Sequence, residues 1–232
     1  DRLDLNGMLK LISNLTFLHS IYSFLINLIP GFLIHNTSKY IAIKKVLINL
    51  WIDQIQGDCI EFGIFTGSSF KHTIRTEKKI NRNNKNTCFY GLDSFEGFPD
   101  NDHPFFQDVN FKSSFKRAKK IENKFTGRAF VFKGYFSDSL NRESKLINID
   151  KLKFVNIDCD LYISSIEPID FIIPRLSKGA YIIIDDFTNQ DPEGNSIRNL
   201  FYDKFKNHNF QITNFFGIDG VVIRYFGLKN NS

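Results

Sequence analysis

Short apolar runs alternate along this chain with longer segments in which apolar residues recur at helical spacing. Five of the runs have the length of a buried strand, and the segments between them are long enough for crossover helices. They cover residues 59–64, 88–92, 129–133, 154–158 and 180–184. Two further runs, 210–216 and 221–226, are joined by a connection too short for a helix. The pattern predicts five parallel strands with helices on both faces of the sheet, closed by an antiparallel hairpin.

Helical periodicity is clearest in residues 38–56, and helices are also predicted for 112–124 and 196–207. Residues 9–34 are rich in Leu, Ile and Phe, but polar residues or proline interrupt them about once per turn, which a membrane-spanning helix does not favour. They predict one or two amphipathic helices that pack on the core, on a partner subunit or over a functional cleft. A helix on a membrane surface is the alternative. We therefore divide the chain into an N-terminal helical segment, residues 1–37, and a main domain, residues 38–232.

Composition narrows the class of protein. The chain has 232 residues, 42% hydrophobic and 24% charged, which suits one globular α/β domain. Its net charge of +5 comes from lysines scattered along the chain, and without a basic run or motif we predict no nucleic-acid partner. Cys59, Cys88 and Cys159 all fall within predicted buried strands and lack zinc-binding spacing. No signal peptide is evident. These features predict a reducing, cytoplasmic location.

Four carboxylates follow two of the predicted strands. Asp158 and Asp160 come after the first, and Asp185 and Asp186 after the second. The intervening helix is interrupted at Pro174, and Lys178-Gly179 predicts its C-terminus.

A crossover makes these two strands parallel, so the four acids meet at one sheet edge and would repel one another without a cation. A divalent metal is the obvious candidate. If the strand continues, Asp158 and Asp160 also point to one face. The alternative is that these acids cap the following turns and helices.

A glycine-containing turn follows the first strand. Glu61, Gly63 and Gly67 lie where that strand turns into a helix predicted to begin near Ser68. Glycines let the backbone approach a ligand there, and the helix N-terminus offers free N–H groups. Asp93, at the end of the second strand, suits the hydroxyls of a ribose, with a helix N-cap as the alternative.

Two further segments flank this edge of the sheet. Residues 94–104 read as a loop that either forms a lid or is simply exposed. The third strand leads into 134–140, a site for adenine contacts at the rim of the same cleft.

The segments EFGIFTGSS, YGLDSFEGFPD, KGYFSDSL, NIDCDLYISSIEPIDFIIPRLSKGAYIIIDDF and the closing hairpin together resemble the macrocin O-methyltransferase family (TylF/MycF type). These enzymes use S-adenosylmethionine and magnesium to methylate sugar hydroxyls. The resemblance covers roughly residues 38–226. It implies a Rossmann-like class I methyltransferase fold.

The resemblance also implies roles for individual residues. The methionine part of S-adenosylmethionine would be held by Glu61, Gly63, Gly67 and Ser68. Asp93 would bind the ribose, Phe136, Ser137 and Asp138 would surround the adenine, and Ser94 and Asp158 complete the predicted cofactor site. Asp158, Asp185 and Asp186 would ligate Mg²⁺, and Asp160 would be the general base.

Methyl transfer to a sugar requires an anionic oxygen in line with the methyl group. A metal favours the alkoxide and a carboxylate accepts the proton. The acceptor stays open between a sugar nucleotide, a surface glycan and a glycosylated natural product, and we predict a homodimer. The sequence leaves two other functions open. One is a metal-dependent glycosyltransferase, since Asp158-Cys159-Asp160 is a D-x-D pattern, and the other is a non-catalytic scaffold.

Overall fold

The computed structural model of the chain describes residues 16–84, 86–99 and 111–229. These residues form one seven-stranded sheet in the order β3-β2-β1-β4-β5-β7-β6. The strands are β1 Asp58–Phe62, β2 Phe89–Asp93, β3 Ala129–Lys133, β4 Leu152–Ile157, β5 Leu176–Ile184, β6 His208–Phe216 and β7 Gly220–Leu228. The first five pair in parallel, and β7 runs antiparallel to both β5 and β6. The predicted fold class is confirmed, including the C-terminal hairpin.

Helices cover both faces of the sheet. They are α1 Thr16–Asn27, α2 Gly31–Ile52, α3 Ser68–Ile80, α4 Phe115–Lys124, α5 Phe136–Arg142, α6 Ser144–Ile147, α7 Tyr162–Ile172, with a 3₁₀ turn Ile173–Arg175, and α8 Ile197–Lys204. Buried side chains of α2, α3 and α4 form one core with the strands. Those of α5 to α8 form a second core on the other face, because successive strand residues such as Cys59 and Ile60 point to opposite sides.

The region between β4 and β5 differs from the prediction. The helix ends at Ile172, the residues around Pro174 continue as a 3₁₀ turn, and Lys178 and Gly179 lie inside β5. The predicted helix C-terminus at Lys178-Gly179 is therefore wrong. Strand β5 begins early because Leu176 pairs with Leu152 of β4.

The cysteines also differ in part from the prediction. Cys59 lies in β1, but Cys88 precedes β2 and Cys159 follows β4. All three are free thiols, with Cys59 and Cys159 buried and Cys88 partly exposed.

The two N-terminal helices are separated at Pro30. Helix α2 begins at Gly31, directly after Pro30, so the boundary proposed between residues 37 and 38 falls inside it. Helix α1 is exposed from residue 18 onward, so in the single chain it packs neither on the core nor over the cleft. Among the described residues no single helix has the length and hydropathy needed to cross a membrane. Helices α1 and α2 pass that test jointly, by length and composition, but are bent by 112°.

Parts of two predicted segments, residues 9–15 and 100–104, lie outside the described residues.

Candidate active site

Four strand ends meet at one edge of the sheet. Phe62, the last residue of β1, is in register with Leu92 on one side and Ile157 on the other, and Ile157 is in register with Ile184 of β5. The next residues along these strands are Gly63, Asp93, Asp158 and Asp185. In an open α/β sheet this carboxyl edge is where ligands bind.

A cavity of about 650 Å³ opens at this edge. Seven of the residues predicted for the site line it, namely Gly63, Asp93, Ser94, Phe136, Ser137, Asp158 and Asp160. Six others do not, namely Glu61, Gly67, Ser68, Asp138, Asp185 and Asp186. The remaining lining is largely apolar and aromatic, including Phe65, Tyr135 and Ile163. A cavity of this size with a few polar groups has the character of a small-molecule site.

Gly63 is required by the packing of two strand ends. Its φ of 83° is in the left-handed region, and an added Cβ would overlap the carbonyl oxygen of Asp158. The absence of a side chain at Gly63 therefore leaves room for the backbone of Asp158.

Gly67 also has a positive φ, 77°, and is the N-cap of α3. The predicted start of this helix at Ser68 is confirmed, and Ser68 itself is exposed.

Asp93 connects two loops that border the cavity. Its Oδ2 accepts the Phe65 N–H at 2.7 Å, and its Oδ1 accepts the Phe95 N–H at 2.6 Å. The N-cap alternative is wrong, because the next described helix, α4, is capped by Ser114. Burial raises the pKa of Asp93 above its usual range. Each oxygen retains a lone pair, so the carboxylate can still accept a ligand hydroxyl.

Glu61 lies behind the cavity wall in β1 and is 1% exposed. Its Oε1 accepts a hydrogen bond from Ser69 Oγ, while Oε2 has no partner. The side-chain amide of neighbouring Asn156 is also buried without a partner. Burial raises the pKa of Glu61 to about 7. Unsatisfied buried polar atoms are rare, but neither Glu61 nor Asn156 lines the cavity.

Helix α2 supplies the cation that the acid cluster needs. Lys39 Nζ lies 2.5 Å from Asp158 Oδ2 and 2.9 Å from Asp185 Oδ2. Burial lowers the pKa of Lys39, but the two carboxylates outweigh it and the net pKa is raised, so the ammonium stays charged. Burial raises the pKa of Asp158 to about 6, while for Asp185 the contacts with His35 and Lys39 outweigh burial and lower the pKa.

His35, one turn before Lys39 in α2, also contacts Asp185. Its Nε2 lies 3.0 Å from Asp185 Oδ2, and its Nδ1 accepts the Ile218 N–H at 3.2 Å. In the neutral ring the hydrogen therefore sits on Nε2, which donates to Asp185. Gly217 has a φ of 59°, and an added Cβ there would overlap the His35 ring. The hairpin turn thus approaches the histidine closely because residue 217 is glycine.

Asp160 and Asp186 form a second carboxyl pair. Burial, the charge of Asp158 and a hydrogen bond with Asp186 raise the pKa of Asp160 well above its usual range. Burial also raises the pKa of Asp186, although the same hydrogen bond acts to lower it.

The geometry around Asp160 differs from the expected continuation of the strand. Strand β4 ends at Ile157, and Asp160 has a φ of 59°. The capping alternative for Asp158 and Asp160 is also wrong, since the N-cap of α7 is Leu161. Asp186 does take part in the following turn, where it accepts a hydrogen bond from Asn189.

The predicted magnesium ligands do not fit a metal ion as they are arranged. Within the parts of the chain that the structure describes, no three His, Cys, Asp or Glu side chains are placed to hold one. Magnesium needs oxygen ligands at about 2.0–2.1 Å in octahedral geometry. Lys39 instead holds oxygens of Asp158 and Asp185, two of the three predicted ligands.

Sequence reasoning missed Lys39 and His35. A signal for Lys39 was present, because residue 39 precedes Ala42, Ile43, Val46 and Leu47 at the spacing of one helix face, and these residues are buried. A lysine on the buried face of an amphipathic helix requires a buried partner. His35 had no comparable signal, since its contacts come from β5 and the β6–β7 turn.

A family model described as Macrocin-O-methyltransferase (TylF) matches residues 37–226. Two curated relatives are each 24% identical. They are the 8-demethyl-8-(2,3-dimethoxy-alpha-L-rhamnosyl)-tetracenomycin-C 4'-O-methyltransferase of Streptomyces olivaceus and the mycinamicin III 3''-O-methyltransferase of Micromonospora griseorubida. Each alignment covers 58% of this chain. The match spans 54% of the first relative's length and 57% of the second's.

Solved structures share the fold. The O-methyltransferase NovP has a TM-score of 0.66 at 20% identity, covering 82% of this chain and 80% of its own. The calicheamicin methyltransferase CalS11 has a TM-score of 0.68 at 15% identity, covering 82% of this chain and 79% of its own. These structural matches agree with a methyltransferase fold. They give no support to the glycosyltransferase alternative.

Proposed function

Because this chain belongs to the macrocin-O-methyltransferase (TylF) family, we propose that it transfers a methyl group from S-adenosylmethionine to a hydroxyl of a sugar. The observation that carries the proposal is that one cavity is lined both by Asp93, the predicted ribose ligand, and by Asp160, the predicted base. The rhamnosyl group in the name of one relative supports a sugar acceptor.

The proposed cofactor site fits the residues present. Asp93 keeps lone pairs for ribose hydroxyls, whereas the contact of Glu61 with the methionine part stays a prediction, because Glu61 does not line the cavity. The segment Phe136 to Ser137 lines the cavity at the predicted adenine position, while Asp138 is exposed and pairs with Arg142. When bound, S-adenosylmethionine would supply a methyl group from its sulfonium, with the neutral thioether S-adenosylhomocysteine as the leaving group.

Asp160 is the proposed proton acceptor. In its deprotonated form, a carboxylate with a raised pKa is a stronger base than an exposed aspartate, which favours removal of a hydroxyl proton. Once Asp160 has accepted the proton, the carboxylate of Asp186 can accept a hydrogen bond from it. Apolar lining such as Ile163 limits water at the reacting oxygen. No step is assigned to the predicted Mg²⁺, because Lys39 holds two of its predicted ligands.

Ligand binding tests this proposal. Isothermal titration calorimetry should show binding of S-adenosylhomocysteine and no binding of a nucleotide-sugar donor such as UDP-glucose. Asp93→Ala should weaken S-adenosylhomocysteine at least about tenfold, because a buried acceptor is lost. The control is Asp170→Ala, which removes an exposed carboxylate on α7. Binding of the nucleotide-sugar alone would reject the methyltransferase proposal.

We also propose that the chain forms a homodimer through α1. Residues 18–34 carry no charged side chain and include many exposed large apolar residues. In light scattering the full chain should have the mass of a dimer, and the double change Phe24→Glu, Leu25→Glu should give a monomer with unchanged circular dichroism. Ile147→Glu, at another exposed apolar position, is the control. A monomeric wild-type chain that binds lipid vesicles would instead support the membrane-surface alternative.

Cytoplasmic location and the lack of a nucleic-acid partner stay predictions, as does the division of the chain at residue 37.

A further inference from the structure

A lysine side chain fills the space between two of the predicted metal ligands. Lys39 is 5% exposed and contacts one oxygen of Asp158 and one of Asp185. Its helix is anchored on the core by buried residues on the same face, including Ile43 and Leu47. The ammonium is therefore held at the cluster by the fold.

The hydrogen bonds of Asp185 leave little room for a metal. Its Oδ2 lies within 3.0 Å of both Lys39 Nζ and His35 Nε2. Its Oδ1 accepts the N–H of Asp186 at 3.1 Å. A carboxylate has about four acceptor positions, so three of those on Asp185 are in use. A metal ion would compete directly with the lysine for the same oxygen.

We propose that Lys39 is the resident cation of this pair of carboxylates, and that a divalent metal ion reaches Asp158 and Asp185 only by displacing its ammonium. The ammonium supplies the positive charge that two facing carboxylates need, in place of a metal. His35 reinforces this arrangement by contacting the same oxygen of Asp185. The inference concerns binding at the acid cluster and stands whether or not methyl transfer takes place.

Calorimetric titration with MgCl₂ and MnCl₂ tests the inference without any activity assay. Lys39→Met should bind either ion at least about tenfold more tightly than the wild type, because a competing charge is removed. Lys39→Arg keeps a cation and should bind as weakly as the wild type. Lys45→Met is the matched control, since Lys45 is exposed on the same helix. Adding Asp185→Asn to Lys39→Met should abolish the gain, which places the ion at the cluster.

Two results would overturn the inference. One is wild-type binding of Mg²⁺ as tight as that of Lys39→Met, since the metal would then coexist with the ammonium. The other is a folded Lys39→Met variant with no gain in affinity. If that variant does not fold, Lys39→Gln replaces it, because the amide still donates to the carboxylates without a charge.

Discussion

Replacing Asp160 with asparagine should lower kcat at least about 100-fold, because the general base would be lost. The backbone at position 160 should tolerate the change, since asparagine is among the few residues that readily adopt the left-handed conformation seen there. Asparagine also matches the shape of aspartate. Binding of S-adenosylhomocysteine should therefore stay close to that of the wild type. The loss should appear in turnover, measured by mass spectrometry with an acceptor found by screening sugar nucleotides.

Asp170→Asn is the matched control for this experiment. It makes the same chemical change at an exposed position on α7, and its activity should equal that of the wild type. Full turnover by Asp160→Asn would remove Asp160 as the base. Lost S-adenosylhomocysteine binding in that variant would instead indicate that residue 160 acts in binding.

Gly63→Ala should destabilise the protein more than a typical surface glycine replacement. Gly127 has nearly the same φ, 80° against 83°, but open space around the position of an added Cβ. Both replacements incur the cost of a left-handed conformation, about 1–2 kcal/mol. In Gly63→Ala the new methyl group would also overlap the Asp158 carbonyl oxygen, which belongs to backbone and cannot simply rotate away. The free energy of unfolding should therefore fall by at least about 2 kcal/mol more than in Gly127→Ala.

Urea denaturation of the two variants measures this difference. Gly63→Ala should also weaken S-adenosylhomocysteine, because any relief of the overlap moves the ends of β1 and β4 apart at the cavity wall. Equal stabilities would show that the strand ends move apart at little cost, which would contradict the close packing assigned to Gly63.

The strands were predictable because their signals are local. Strand β3 was predicted residue for residue, and the short connection between β6 and β7 predicted the hairpin. The insertion of β7 between β5 and β6 was not predicted, because strand order depends on pairing between segments far apart in sequence. The start of β5 was misplaced for the same reason, since its first residue is defined by a partner in β4.

The sequence predicted where the acid cluster lies but not which residues contact it. The crossover between β4 and β5 was enough to bring Asp158 and Asp185 to one edge. The expectation of a cation among them was sound, but its identity depends on a helix more than 100 residues earlier. Within residues 154–187, which carry the acids, a metal ion is the simplest source of positive charge. The structure supplies an ammonium from outside that segment.

The contact between His35 and the hairpin turn has a consequence for how the protein is made. During synthesis, His35 in α2 leaves the ribosome well before Ile218, which lies 183 residues later in the chain. Until β7 is added, β5 has an unpaired edge that ends at the acid cluster. Such an edge is a template for wrong pairing with other chains. The nascent chain therefore completes the contact of His35 and covers this edge of β5 in the same step.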